Sequence, residues 1–536
     1  MTAPTTTARA AVGMGAITAV SRVIGFVRVL VIAGVLGTTF LGNAFQAANS
    51  FSNVLFELLA AGALSAVLVP AFVGLLEQGD DEAAESVAGG VLGAALAGLG
   101  VVSAVGILLS PLLARLLTLG VPAEVAEPQR ELVTFLLWFF IPQVLLYAAG
   151  AIATGVLYAK RRFAVTAAAP IGNTVVMVLC LLAFRTVAGP SPDLEVSTGE
   201  RWLLVAAGTG GVVAFVGMLL AALARTGFRL RPRWGWSDPR VRRVLVHSGW
   251  GAVLHTGAGL LLGGAIVAGS AVEGGVVAYQ VAFVFFLAPY AILAQPIHTA
   301  ILPELVSEAR GEDLETFRAS IRWALERMAI LVVPVSALVA ALALPAMRAV
   351  AFGEAAGEGL ELLAAALSAM SVGLLPYGAF LLLARAFYAL EDSRTPGVVS
   401  LVSALAGVSA MAVAALTTTG VARVAWLGAG HTLAQVVGAL WLFARLSART
   451  GGGLVPAGLI RIVGLSAVAG GAVWWGGRAL LDDGQGRFAD VVGVTGLASV
   501  GAALVVGLAW ATGLGRVLTR RRPSGAPVPV HEGDAS

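Results

Sequence analysis

Apolar residues recur along this chain in long unbroken blocks, and polar residues gather in the short stretches between them. A helix needs about 20 apolar residues to cross the hydrocarbon core of a bilayer. Fourteen blocks meet that length, near residues 10–36, 43–76, 86–118, 130–158, 163–187, 201–224, 241–270, 275–304, 322–344, 358–388, 396–417, 421–444, 457–477 and 488–514. Several exceed the minimum, which tilted helices or projecting ends accommodate. The pattern predicts an all-α membrane protein of about fourteen spans.

Cationic residues resist translocation, so Arg and Lys in short loops set orientation while acidic residues count for little. Lys160, Arg161 and Arg162 fall in the fourth loop, and Arg225, Arg229, Arg231, Arg233, Arg240, Arg242 and Arg243 crowd the sixth. Later even loops and the tail carry Arg310, Arg318, Arg394, Arg445, Arg449 and Arg520 to Arg522; odd loops hold scattered arginines such as Arg130, Arg201 and Arg348. Both termini are therefore expected in the cytoplasm, and the bias of Arg over Lys, with Lys160 the only lysine, suggests a GC-rich bacterial genome and hence a bacterial cytoplasmic membrane. The second loop, EQGDDEAAE, is acidic and takes its side from its neighbours.

Two segments recur. Tyr147 to Tyr158 (YAAGAIATGVLY) returns as Tyr377 to Tyr388 (YGAFLLLARAFY), each copy following a proline, Pro142 or Pro376. LSAVLVPAF around Pro70 resembles HTAILPEL around Pro303, at nearly the same interval along the chain. Two pairs in the same order indicate duplication. Residues 10–225 and 241–445 then form two parallel six-helix lobes, with a basic loop at 226–240 between them and a site expected where they meet. Residues 1–9 precede the first lobe, the last two spans occupy 457–514, and the tail, 515–536, is rich in Pro, Gly and Ser and reads as disordered.

Composition narrows the function classes. Of 536 residues, 58% are hydrophobic and 12% charged, with a mean hydropathy of +0.91, so bilayer replaces water as the solvent. The single cysteine, Cys180, rules out disulfides and thiolate metal sites. The five histidines show no metal spacing, and no Walker loop, GxSxG or HExxH occurs. An enzyme, a cofactor-dependent protein and a nucleic-acid binder all lack a residue set.

An ionisable side chain at the bilayer centre costs about 2.5–3.5 kcal/mol on insertion scales, so each needs a partner, a wet cavity or a route to the interface. Arg22 and Arg28 in the first span are six residues apart, about 9 Å along the axis and about 120° around it. Both can border one wide cavity, and their planar forks suit bidentate binding of a diphosphate; snorkelling to the cytoplasmic surface is the competing role for each. Glu57 in the second span is a candidate partner for one of them. Asn43, Asn53, Gln280 and Arg385 complete the candidate substrate-binding set, with Asn49, Gln143, His255 and His298 as further cavity candidates. Each of these is otherwise a helix-to-helix hydrogen bond.

Read in order, several short runs resemble the MurJ (MviN) family of lipid II flippases, a branch of the superfamily that also holds multidrug and polysaccharide exporters. They are Ser21 to Arg28 (SRVIGFVR), Gly62 to Ser65 with Val69-Pro70, Arg162-Phe163 with Ala169-Pro170 and Asn173, Pro289-Tyr290 with Thr299-Ala300 and Leu302-Pro303, and Phe387 to Ala389 with Asp392, Thr395 and Pro396. The resemblance covers essentially the whole chain. It implies alternating access that carries the sugar-diphosphate head of a cell-wall precursor between leaflets, with Arg22 and Arg28 on the diphosphate and the last two helices forming a groove for the polyprenyl tail. Membrane lipids and cell-wall synthesis or division proteins are the implied neighbours.

The chain also departs from the family pattern. Val29 stands where an acid usually follows the second arginine, Asn43 where an acid is frequent, and Asn53 to Glu57 and Phe283 to Leu287 lack the arginines expected there. Three readings stay open: a lipid II flippase, a paralogue moving another polyprenyl-linked glycolipid or amphiphile, and a membrane scaffold that transports nothing.

Overall fold

The computed structural model describes residues 4–56, 69–190, 192–235, 238–311, 313–357, 359–456, 458–481 and 486–513. Helices occupy α1 (Pro4–Leu36), α2 (Phe40–Phe56), α3 (Val69–Glu77), α4 (Asp81–Leu108), α5 (Ser110–Leu117), α6 (Ala123–Phe140) and α7 (Gln143–Ala159). They continue as α8 (Phe163–Ala188), α9 (Thr198–Val205), α10 (Gly211–Ala224), α11 (Pro239–Gly269), α12 (Gly275–Pro289), α13 (Gln295–Arg310) and α14 (Leu314–Ala341). The remainder are α15 (Ala343–Val350), α16 (Leu360–Ser371), α17 (Leu374–Ala389), α18 (Arg394–Thr417), α19 (Gly420–Thr450), α20 (Leu459–Leu480) and α21 (Arg487–Ala511). No strand occurs among the described residues. In a bilayer only a helix satisfies its own backbone, and the apolar composition leaves no other choice.

Ten stretches among the described residues are long and apolar enough to cross a membrane, and the pair α16–α17, bent by 47°, makes an eleventh. The other three predicted spans fall on α1, on α2 and α3, and on α11. Glu57 and most of the LSAVLVPAF run lie outside the described residues, as does the tail after residue 513. The spans Ala123–Ala159, Thr198–Ala224 and Gly275–Arg310 each run as one stretch, as the pattern predicts, but their helical hydrogen bonding changes on the way. Pro142 caps α7 and parts it from α6, because a proline ring removes the amide that would continue the ladder. One π-helical turn, Ala206–Gly210, joins α9 to α10, and another, Tyr290–Ala294, joins α12 to α13.

Local geometry repeats with the sequence. Arg161 and Glu391, separated by the same interval as Tyr147 and Tyr377, are the two non-glycine residues with positive φ among the described residues, at 56° and 60°. Each closes the same turn: Arg162 donates to the Leu157 carbonyl at 2.8 Å and Asp392 to that of Phe387 at 2.9 Å. Asp80 and Asp313, related by the interval from Pro70 to Pro303, cap α4 and α14 by accepting from Ala83 and Thr316 amides at 2.9 and 3.0 Å. The short helices α5 and α15 share that interval. A side chain forced into the left-handed region, or a cap three residues before a partner amide, does not recur by chance composition.

The helices pack in two bundles. In the first, α1 and α10 lie on α8, α4 and α10 on α7, and α2 on α6; in the second, α11 lies on α18, and α16, α17 and α18 on α19. Outside both, α20 lies along α14 and α21 against α20. Lipid offers no hydrophobic drive between helices, so association relies on close van der Waals contact through small residues. Gly407 on α18 shows the requirement: a Cβ there would sit 2.6 Å from the Gly430 carbonyl oxygen of α19.

At the end carrying the odd-numbered loops the bundles are bolted together. Arg185, in the last turn of α8, pairs with Glu354 at 2.7 Å. Asn43, fully buried on α2, donates through Nδ2 to the Val272 carbonyl at 2.8 Å and accepts from the Val276 amide at 3.0 Å. Its amide is thus a strut between bundles in this state, the helix-to-helix role that the sequence offers beside substrate binding.

Candidate functional site

Between the bundles lies a hollow of 340 Å³. From the first bundle it takes Asn53 and Val54; from the second come Tyr279 and Phe283 of α12, Tyr377 of α17, Ser400 of α18 and His431 and Gln435 of α19. Close approach of α11 to α18 shapes one wall, since a Cβ on Gly257 would collide with Ser400 Oγ. The lining mixes aromatic faces with a few polar tips, the make-up of a site that holds an amphiphilic head.

Arg28 stands at the first-bundle side. Its Nε is buried and has no hydrogen-bond partner, and its charge lies within electrostatic reach of Tyr147. Tyr147 donates to Asn53 Oδ1 at 3.3 Å, which links the arginine to the lining of the hollow. Gln143, one turn before Tyr147, accepts from Ser52 Oγ and donates to Thr209 Oγ1, both at 2.9 Å, and fixes α7 against α2 and the π-turn. Among the described residues no carboxylate pairs with Arg28. A guanidinium kept inside a membrane protein with an open donor is poised for an anion.

Arg22 and Arg385 form a second cluster. Arg22 is exposed and donates to Gln295 Oε1 at 3.2 Å, reaching from α1 to the second bundle. Arg385 donates to Thr299 Oγ1 at 3.2 Å and to His298 Nδ1. Because arginine only donates, Nδ1 must accept, so the fully buried imidazole is the neutral tautomer with its proton on Nε2. That proton is donated to the Tyr290 hydroxyl at 2.8 Å. Both arginines lie within electrostatic reach of Tyr290, whose ring stands edge-on to Tyr377 at 4.7 Å.

The candidates therefore separate. Arg28 with Asn53, and Arg22 with Arg385, are brought to the bundle boundary, Arg22 and Arg28 standing about 120° apart on α1 as the helical repeat requires. Gln280 reaches across the boundary, but its amide donates to Ser50 Oγ of α2, so it joins bundles in this state. Glu57 and the side chain of His255 lie outside what is described. Sequence reasoning missed the site roles of Tyr147, Tyr290, Tyr377 and His431. For two of them the signal was present, because Tyr147 and Tyr377 are the anchors of the repeat and occupy equivalent places facing the boundary.

Two bundles of membrane-spanning helices around a hollow of aromatic faces and a few polar tips have the architecture of a polytopic transporter, and solved structures share this fold. An inward-facing multidrug resistance MATE family transporter of the MOP superfamily superposes with a TM-score of 0.62 at 16% identity, over 82% of this chain and 98% of that one. The chain itself belongs to the lipid II flippase MurJ family, whose model matches residues 32–483. A structure titled lipid II flippase MurJ, inward closed conformation, superposes with a TM-score of 0.72 at 16% identity, over 95% of this chain and 99% of that one. Probable lipid II flippases MurJ from Vibrio cholerae and Rhizobium meliloti are each 27% identical, over 405 and 438 residues; they cover 73% and 81% of this chain and 74% and 79% of their own lengths.

Proposed function

We propose that this protein carries lipid II, the undecaprenyl-diphosphate-linked peptidoglycan precursor, from the cytoplasmic to the outer leaflet of the cytoplasmic membrane by alternating access. Family membership supports the substrate. The observation that carries the mechanism is Arg28: a half-buried side chain whose buried Nε has no hydrogen-bond partner, within electrostatic reach of Tyr147, which reaches a hollow at the bundle boundary through Asn53. A diphosphate supplies acceptors for that donor, and the planar fork binds it bidentately while keeping its charge. Arg22 of α1 and Arg385 of α17, both within electrostatic reach of Tyr290, receive the same head as the bundles rock. The aromatic faces of Tyr279, Phe283 and Tyr377 suit the sugar.

The even loops and both termini face the cytoplasm in this reading, which puts the Asn43 and Arg185–Glu354 bolts on the outer side. The bolts hold that side shut while the site awaits substrate from within. Residues 10–225 and 241–445 are the two moving lobes, and the chain performs no covalent chemistry.

The test is complementation of a strain depleted of its flippase. Wild type restores growth, and Arg28→Ala, at equal membrane abundance, does not. Failure of the wild type at normal abundance would direct the proposal to another polyprenyl-linked substrate, an outcome the sparse cavity cations favour over a scaffold.

A further inference from the structure

His298 of α13 is fully buried, with its Nδ1 accepting from Arg385 of α17 and its Nε2–H donated to the Tyr290 hydroxyl at 2.8 Å. The contact with Arg385 uses the lone pair on Nδ1, so it exists only while the imidazole is neutral. Arg385 is held by one nitrogen alone: Nη1 makes both of its contacts, to His298 and to Thr299 Oγ1 at 3.2 Å. Its Nε and Nη2 have no partner among the described residues. The guanidinium is thus half engaged and keeps an edge for an anion.

Neither member of the pair is a demand of the duplicated fold. Gly155 stands in the first copy where Arg385 stands in the second, and Ser65, five residues before Pro70, stands where His298 precedes Pro303. Both polar residues occur in one copy only, and there their side chains meet. Arg385 lies eight residues, about 12 Å, beyond Tyr377 on α17, and Tyr377 lines the hollow. Around the imidazole, Arg385 is the charge within electrostatic reach, Tyr290 faces it from the π-turn, and Arg22 of α1 comes within reach of that same tyrosine. Glu304 and Glu308, further along α13, and Glu326 and Arg327 of α14 are engaged in contacts of their own.

We propose that His298 takes up a proton when the diphosphate draws Arg385 away, so that binding of the head group is coupled to proton binding inside the second bundle. Turning the guanidinium toward the anion empties Nδ1 and takes a positive charge from beside the buried ring. A proton from solvent, bonded to the Nδ1 lone pair, replaces that charge, while Nε2–H keeps the Tyr290 hydroxyl throughout. His298 acts through Arg385 as a positioning residue: neutral, it holds the arginine against α13; protonated, it releases the arginine to the substrate. The inference rests on Arg385 receiving the diphosphate, and its test separates the two.

Lipid II titrated calorimetrically into the full-length protein in detergent, in two buffers of different ionisation enthalpy, reads the protons taken up per molecule bound. Protons gained or lost by lipid II itself are common to every variant, so the difference between wild type and His298→Gln isolates the histidine. Glutamine keeps an acceptor for Arg385 and does not titrate. At pH about 6.5, the ordinary histidine value, wild type takes up about half a proton more than His298→Gln. Its affinity relative to that variant rises up to about tenfold per unit as the pH falls below that value, and the gain is lost as the pH rises through it. Arg385→Ala binds more weakly and loses most of the extra uptake, which supplies the comparison should the glutamine variant fail to fold. Binding with equal proton uptake by wild type and both variants would overturn the coupling and leave the diphosphate site standing. Absence of lipid II binding by wild type would overturn the substrate reading and this inference with it.

Discussion

Replacing Asn43 with alanine removes the strut that closes one end of the protein. In the closed state it strands the Val276 and Val277 amides, which donate to Asn43 Oδ1 at 3.0 and 3.4 Å, while the Val272 carbonyl keeps the Gly275 amide at 2.9 Å. A buried polar group left unpaired costs about 1–3 kcal/mol, so two cost at least about 2 kcal/mol. The opened state exposes those groups to water and bears none of that cost. The ratio of closed to open forms should therefore fall by roughly thirtyfold. Nitroxides on Val187→Cys and Ala356→Cys, both exposed and on opposite bundles at that end, report the separation in a Cys180→Ala background. Double electron–electron resonance should show the longer distance rising to dominate in Asn43→Ala. A distance distribution identical to that of the unmutated pair would refute the strut, because it would mean these bonds have equivalents when the bundles part.

Three further outcomes follow from the same geometry. Glu354→Gln removes the ionic half of the contact with Arg185; the pair is partly exposed, so the shift toward the open form is smaller than for Asn43→Ala, by about 1 kcal/mol or less. Gly257→Ala places a methyl against Ser400 and overpacks the α11–α18 contact, lowering stability by about 1–3 kcal/mol in a detergent melting assay, with transport falling because both residues line the hollow. Burial pushes the Asp392 carboxyl up, but hydrogen bonds from the Thr395 amide and hydroxyl and the charge of Arg449 outweigh it and hold the group below its ordinary value. Its contribution is thus complete above the unfolded value of 3.8 and is lost as the pH falls through the lower folded value; Asp392→Asn should flatten the melting temperature across that acid window.

What the chain reveals of itself differs by level. The spans were legible because each is an apolar block of bilayer length, and the duplication because Tyr147, Tyr377 and their prolines are rare residues in an Ala- and Gly-rich background. The changes of pitch within spans were less so: Pro142 announces one, but the π-turns at Ala206–Gly210 and Tyr290–Ala294, packed against α8 and α14, carry no such signal. At the site, Arg22, Arg28 and Arg385 stood out because charge inside a membrane is costly. Asn43 and Gln280 are hard to assign for the opposite reason, since an amide in an apolar block looks the same whether it meets a ligand or a neighbouring helix. Only the register of α2 against residues 272–277 and of Gln280 against Ser50 separates the two. Tyr290 and His298 acquire their roles only when Arg385, far along the chain from both, is folded against them.

The most direct test of the account is the rate at which labelled lipid II crosses the bilayer of proteoliposomes containing the purified protein, compared with Arg28→Ala and Arg28→Lys. A bidentate contact between a buried guanidinium and a phosphate is worth about 1.5–3 kcal/mol, so Arg28→Ala should slow translocation by roughly ten- to a hundredfold, with Arg28→Lys in between. Translocation by Arg28→Ala at the wild-type rate would contradict a diphosphate held at the bundle boundary.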